Sequence, residues 1–112
     1  MKNNFFSVGL EEEYLVVNKH NGELIVDPPK GLMRDCKKKL KGQVKPEFLR
    51  SQIEVGTKVC KSIKDLKDNL IFLRSNVNKI LQKYDLEFLA VSTHPFSDWG
   101  TQKHTQKKDI LI

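Results

Sequence analysis

Ile63, Leu66, Leu70, Leu73, Val77, Ile80 and Tyr84 follow one another at intervals of 3, 4, 3, 4, 3 and 4. That spacing brings every side chain back to one face of an α-helix, and a strand, with its period of two, does not produce it. Ser62 stands just before the stripe and Asp65 lies three residues on, the arrangement of a capping box, so the helix is predicted to begin there. It would be roughly 33 Å long at about 1.5 Å per residue. Burying its stripe is worth roughly 10–20 kcal/mol gross, at about 1.5–3 kcal/mol per large apolar side chain. A helix of this kind needs a second layer, a sheet or another helix, to cover it.

The remaining segments supply strands. Phe5 to Val17 is rich in apolar and β-branched residues and reads as a strand despite imperfect alternation. NKHNGE, Asn18 to Glu23, holds an Asn-Gly turn signal, which makes Leu24 to Val26 a returning strand. Asp27-Pro28-Pro29 ends it, because proline donates nothing to a ladder. Gly31 to Leu40 is a short helix candidate with Leu32, Met33, Cys36 and Leu40 on one side. Gly42 and Pro46 mark a loop. Leu49, Ser51, Ile53 and Val55 then alternate with Arg50, Gln52 and Glu54, so Leu49 to Thr57 reads as a half-buried strand. Leu86 to Val91 is a third long strand, and Ser92 to Gly100 is a loop. The expected fold class is α+β, a largely antiparallel sheet packed on one long helix. Residues 1–112 are expected to form a single partial domain whose residues 101–112 are a polar, loose tail. That tail ends on Ile110-Leu111-Ile112, an odd terminus for a finished domain.

Composition narrows the class. Hydrophobic residues make up 38% and charged residues 30% of 112 residues, which argues against bulk disorder. No apolar run approaches the roughly 18 residues that cross a bilayer, so no membrane association is expected. MKNNFFSVGLEEE lacks the apolar core and cleavage site of a signal peptide, which points to the cytoplasm. Cys36 and Cys60 fit free thiols in a reducing compartment, and the lack of CxxC spacing argues against structural zinc. The net charge of +6 gathers at Arg34 to Lys45 and at Lys103, Lys107 and Lys108. Nucleic acid is the polyanion such clusters would suit, but no aromatic residues interleave the lysines. A solvated helix face beside a solvated tail accounts for them more simply than a nucleic-acid partner, and a small basic nucleic-acid-binding module or a non-functional remnant is the alternative reading.

Against that positive balance, SVGLEEEYLVV places Glu11, Glu12 and Glu13 inside the first strand. Glu is depleted in strands. Residues i and i+2 share a face about 7 Å apart, so Glu11 and Glu13 point one way and Glu12 the other, beside Leu10 and Tyr14. Two carboxylates at that distance repel by roughly 2.4 kcal/mol at an effective dielectric near 20. Glu54 lies in the next strand, and Glu47 precedes it by seven residues, near that strand's start. If the strands pair, up to four carboxylates converge, and oxygen ligands of that kind suit magnesium. An edge strand protected by charge, or a carboxylate pair for glycoside hydrolysis, is also compatible with the spacing. His94 reads first as a backbone-bonded loop histidine, Cys60 as a small buried residue, and Phe96 and Trp99 as loop anchors.

Taken in order, VGLEEEYLVV with NGEL, EFLRSQIEVGTKVC, the long helix and LAVSTHPFSDWGTQKHT resemble the start of the carboxylate–amine ligases. These form the second family of the glutamate–cysteine ligase superfamily, and the likeness runs from about Phe6 to Thr105. The resemblance implies a glutamine-synthetase-like antiparallel sheet whose concave face binds ATP and Mg2+. It implies phosphorylation of an amino-acid carboxylate and attack by an amine on the acyl phosphate, a chemistry of glutathione biosynthesis. Carried over by position, Glu11, Glu13, Glu47 and Glu54 are the expected metal ligands. Thr57, Thr93 and His94 are the expected substrate-binding residues, and Glu12 is expected to be structural. Members of the family continue well beyond the THPF loop. An N-terminal fragment, inactive alone and completed by a C-terminal polypeptide, is therefore the expected state.

Overall fold

The structure, a computed structural model, describes residues 7–46 and 51–90. Strand β1 is Glu11–Asn18, helix α1 Leu32–Leu40, strand β2 Val44–Pro46, strand β3 Gln52–Gly56, helix α2 Ile63–Gln82 and strand β4 Leu86–Leu89. One 3-10 turn, Lys41–Gln43, joins α1 to β2. The four strands form one antiparallel sheet in the order β2-β3-β1-β4. The chain is thus α+β, with two helices where one long helix was expected to do the covering.

Both helices lie on the same face of the sheet. Tyr14 and Val16 of β1, Ile53 and Val55 of β3, Val44 of β2 and Leu86 of β4 project toward them. They meet Leu73, Val77, Ile80 and Leu81 of α2 and Leu32, Cys36 and Leu40 of α1. Tyr14 and Phe88 stack with ring centroids 4.3 Å apart. The predicted stripe is therefore present, but its burial starts only at Leu73. Ile63 stays 63% exposed and Leu66 and Leu70 are half-buried. Leu81, eight residues beyond Leu73, widens the buried face to the broader stripe usual for a helix on a sheet. Ser62 caps α2 as its position predicted, its Oγ accepting from the Asp65 amide at 3.0 Å.

Glu12 lies on the helix side of β1, among these apolar residues, and α2 resolves its charge. The Arg74 guanidinium donates to both Glu12 carboxylate oxygens, from Nε at 2.8 Å and from Nη2. Tyr14 Oη adds a third donor at 2.6 Å. The Arg74 bonds hold the Glu12 carboxyl below its ordinary value of 4.5, against the opposing effect of burial. Tyr14 itself is pushed upward by burial and then by the neighbouring carboxylate. A second tie joins the helices: Tyr84 Oη, just past α2, donates to Asp35 of α1.

Three local expectations change. The returning strand at Leu24 to Val26 shrinks to a single bridge between Val17 and Leu24, because two prolines follow at once. The turn before it is held by Asn18 Oδ1, which accepts from the His20 amide, and by Gly22 at φ 72. Val44–Pro46 forms a short strand where Gly42 and Pro46 had signalled a loop. Proline is tolerated there because β2 is an edge of the sheet. Strand β3 begins at Gln52 among the described residues, and 47–50 lie outside them. The loop expected at Ser92 to Gly100 and the tail at 101–112 also lie outside. No helix among the described residues is long and apolar enough to cross a membrane.

Two outcomes follow for stability. Leu73 has no exposed surface, and Leu73→Ala should cost about 3 kcal/mol in urea unfolding, combining lost transfer energy and a residual cavity. Arg74→Ala should cost about 1–2 kcal/mol, a value reduced for solvent screening at a half-exposed guanidinium. Because the folded Glu12 carboxyl is depressed, its contribution is complete above the unfolded value of 4.5 and is lost as pH falls through the folded value. The gap between wild type and Arg74→Ala should therefore narrow below about pH 4, measured by melts across a pH series.

Candidate functional site

The register between β1 and β3 decides where the acids go. Glu13 stands opposite Glu54, Tyr14 opposite Ile53, and Glu11 opposite Gly56. On the other side of β3, Lys45 of β2 stands opposite Glu54. Directly opposed residues share a sheet face. Tyr14, Ile53 and Val55 take the helix side, so Glu11, Glu13, Glu54 and Lys45 all project from the other one. The same face carries a small apolar cluster of Leu15, Val17 and Leu24 farther along, packed with Leu89.

Glu54 occupies the centre of this arrangement and is 8% exposed. Its Oε2 lies 3.4 Å from Lys45 Nζ. Glu11 is diagonal to it across Gly56, which puts no side chain between them. A hydrogen bond to Glu54 is the main cause that raises the Glu11 carboxyl above 4.5, followed by repulsion from Glu54. Lys45 works in the opposite direction, and Glu13 adds only a small repulsion. A carboxylate beside another disfavours its ionised form, which is the direction of the Glu11 shift.

The Glu11–Glu54 pair opens onto a shallow cleft of about 440 Å³. Gly9, Leu10, Glu11, Gly42, Gln43, Lys45, Glu54, Gly56 and Thr57 line it. Thr57 is at its rim, but its Oγ1 accepts from the Leu10 amide at 2.8 Å while its own amide donates to the Leu10 carbonyl. The threonine thereby clamps the start of β1 to the end of β3. Gln43 Nε2 donates to the Gly56 carbonyl at 3.2 Å and to Asn69 Oδ1 at 2.9 Å, and the same Asn69 oxygen accepts from the Lys58 amide. Gln43 and Asn69 were not singled out from sequence. An amide at the first exposed turns of an amphipathic helix carries no periodic signal, and only the folded loop shows its use.

Of the expected metal ligands, Glu11 and Glu54 are in contact, Glu13 is on the same face, and Glu47 lies outside the described residues. The donor set is oxygen alone, which suits a hard cation and not a thiolate-seeking metal. Magnesium is commonly held by one or two carboxylates with water and substrate phosphates, a requirement that Glu11 and Glu54 meet. Among the described residues, no three His, Cys, Asp or Glu side chains are gathered to cage an ion by themselves. Thr93 and His94 also lie outside the described residues. Cys60 is buried, its Sγ donating to the Lys58 carbonyl, and Cys36 is a free buried thiol that burial pushes up to about 11. Neither thiol lines the cleft. The basic segment divides: Lys37, Lys38 and Lys39 occupy the last turn of α1, where the helix dipole favours cations, while Lys45 turns to Glu54.

Helices on one face and a patterned acid cluster on the other define an α+β domain with a polar, carboxylate-bearing sheet surface. Comparison with known proteins identifies its relatives. Residues 7–109 match the family described as Glutamate-cysteine ligase family 2 (GCS2). A protein of Jannaschia sp. (strain CCS1) named "Putative glutamate--cysteine ligase 2" is 47% identical over 102 residues, covering 91% of this chain and 27% of that protein. A Rhodospirillum rubrum protein of the same name is 43% identical over 117 residues, covering 99% of this chain and 30% of its own. One from Chloroflexus aurantiacus (strain ATCC 29366 / DSM 635 / J-10-fl) is 34% identical over 106 residues, 89% and 25% respectively. The chain belongs to glutamate–cysteine ligase family 2, and it spans about 25–30% of the length of these relatives.

The contact between Glu11 and Glu54 has a measurable cost in the folded chain. The raised Glu11 carboxyl gives stability that is full below 4.5 and is lost as pH rises through the folded value. Glu11→Gln replaces the proton-dependent donor with a permanent amide, so its melting temperature should exceed wild type at pH 7. The difference should vanish below about pH 4 in the same melts.

Proposed function

We propose that this chain is the N-terminal part of the catalytic domain of an ATP-dependent carboxylate–amine ligase of the glutamate–cysteine type. The observation that carries the reading is the Glu11–Glu54 pair, with Glu13 beside it, on the sheet face away from the helices. In this reading the 1–112 segment is one partial domain of a glutamine-synthetase-like sheet, in the cytoplasm, acting on small amino-acid substrates.

In the reaction, a carboxylate oxygen attacks the γ-phosphorus of ATP and ADP leaves. An amine nitrogen then attacks the acyl phosphate carbon, phosphate leaves, and the nitrogen loses a proton. Glu11 and Glu54 would hold Mg2+ together with water and the nucleotide phosphates, and Glu13 on the same face and Glu47 are proposed as further ligands. Magnesium supplies neutralisation of the phosphate charge, the main electrostatic requirement of phosphoryl transfer. The chain's own part is to fix that position: the β1–β3 ladder sets the spacing of the acids, and the Thr57–Leu10 clamp closes the ladder's end. The glycines at 9, 42 and 56 keep side chains out of the cleft, which leaves space for a phosphate chain. Thr57, which lines the cleft, is proposed to contact substrate together with Thr93 and His94.

The chain alone is proposed to be inactive, because it spans so little of its relatives' length. ATP-dependent phosphate release with glutamate and cysteine should be absent from the isolated chain. It should appear when a polypeptide corresponding to the remaining length of a relative is supplied. In parallel, Mg2+ should shift the carboxyl carbon resonances of Glu11 and Glu54 in an NMR titration. Absence of both the restored turnover and the resonance shifts would remove the basis of this reading.

A further inference from the structure

Lys45 is a cation held against the acid pair, and nothing in the ligase chemistry above calls for a lysine against a metal ligand. It stands directly across the ladder from Glu54, with its Nζ 3.4 Å from Oε2. Its side chain is 48% exposed, whereas that of Glu54 is 10% exposed. The buried partner is therefore fixed while the ammonium sits at the solvent end of a flexible stem. Glu54 meets Glu11 on one side and Lys45 on the other, and all three line the same cleft. An ammonium there satisfies the electrostatic need that a divalent cation would otherwise satisfy. Two cations cannot be held against one carboxylate without repelling each other across a few ångströms.

We propose that Lys45 is a resident counter-ion of the Glu11–Glu54 pair and competes with a divalent cation for it. The inference rests on the cation reading given above and adds the residue that sets the affinity of the site. Occupation by metal requires the Lys45 ammonium to withdraw from Glu54, which its exposed position on the edge strand β2 allows. Lys45 thereby offsets part of the acids' charge when no ion is bound and keeps the site weak enough to release its ion. The cost of displacing Lys45 is paid whenever metal enters.

The test is Mn2+ binding to the full chain, followed by the loss of the free-ion electron paramagnetic resonance signal, at low ionic strength. Lys45→Met should bind Mn2+ about three- to tenfold more tightly than wild type, the size expected for one partly screened charge. Lys45→Arg keeps the charge and should stay near wild type. The gain in Lys45→Met should shrink as salt rises, because the lost repulsion is screened. Lys45→Gln serves as a second neutral variant, and thermal melts of all variants show whether the sheet is retained. Equal or weaker Mn2+ binding by both neutral variants, with wild-type binding present, overturns the role of Lys45 and leaves the cation reading standing. Failure of wild type and every Lys45 variant to bind Mn2+ overturns the cation reading and this inference together.

Discussion

The pairing of β1 with β3 is the constraint on which everything else depends. A shift of one residue in that ladder would move every side chain of β1 to the opposite face. With Glu13 across from Glu54, Tyr14 faces Ile53 and joins the helices, while the acids face away. With the register shifted by one, Tyr14 and Val16 would lose the core of α1 and α2, and Glu11 and Glu13 would be driven into it unpaired. Burying two unpaired carboxylates is far costlier than the partial exposure they have now. The apolar residues of β1 therefore fix the register, and the positions of the acids follow from it. Glu12 is the exception that this register forces onto the core side, and Arg74 is what makes it tolerable.

The two faces of the sheet answer different demands. On the helix side the acids find donors: Glu12 accepts from Arg74 and Tyr14, and Asp35 accepts from the Tyr84 hydroxyl. Each pair adds a tie between a strand and a helix or between helices. On the open side the balance is left deliberately incomplete by the residues present. Glu11, Glu13 and Glu54 share that face with Lys45, and the neighbouring Glu54 raises the Glu11 carboxyl. Electrostatics this unfavourable does not improve folding, and sites of function are where such groups collect. Gly56, opposite Glu11, and Gly42 and Gly9 around the cleft remove the side chains that could have relieved the crowding. The same omission leaves room for a ligand.

Much of this was legible in the sequence, and what was not has a physical explanation. The stripe from Ile63 to Tyr84 announced α2, and Ser62 with Asp65 announced its cap, because both signals are local. Period-two alternation announced β3 and put Glu11 and Glu13 on one side with Glu12 on the other. The convergence of Glu11 with Glu54 was conditional on two strands pairing, which is a long-range fact, and the ladder supplies it. Val44–Pro46 was hidden because Gly42 and Pro46 are strong loop signals, and only its place at the sheet edge makes that proline acceptable. The stripe stays exposed at Ile63 and only half-buried at Leu66 and Leu70, since periodicity reports which face is apolar and not how far a neighbouring layer extends. Arg74 and Lys45 were the least legible. Both are long cations whose partners lie 62 and 9 residues away, and a charge on an exposed helix or strand looks solvated until the chain is folded. Yet both shape the electrostatics: Arg74 pairs with Glu12 against the core, and Lys45 pairs with Glu54 on the open face. A sequence reveals where carboxylates can gather, but the cations that answer them are set by register.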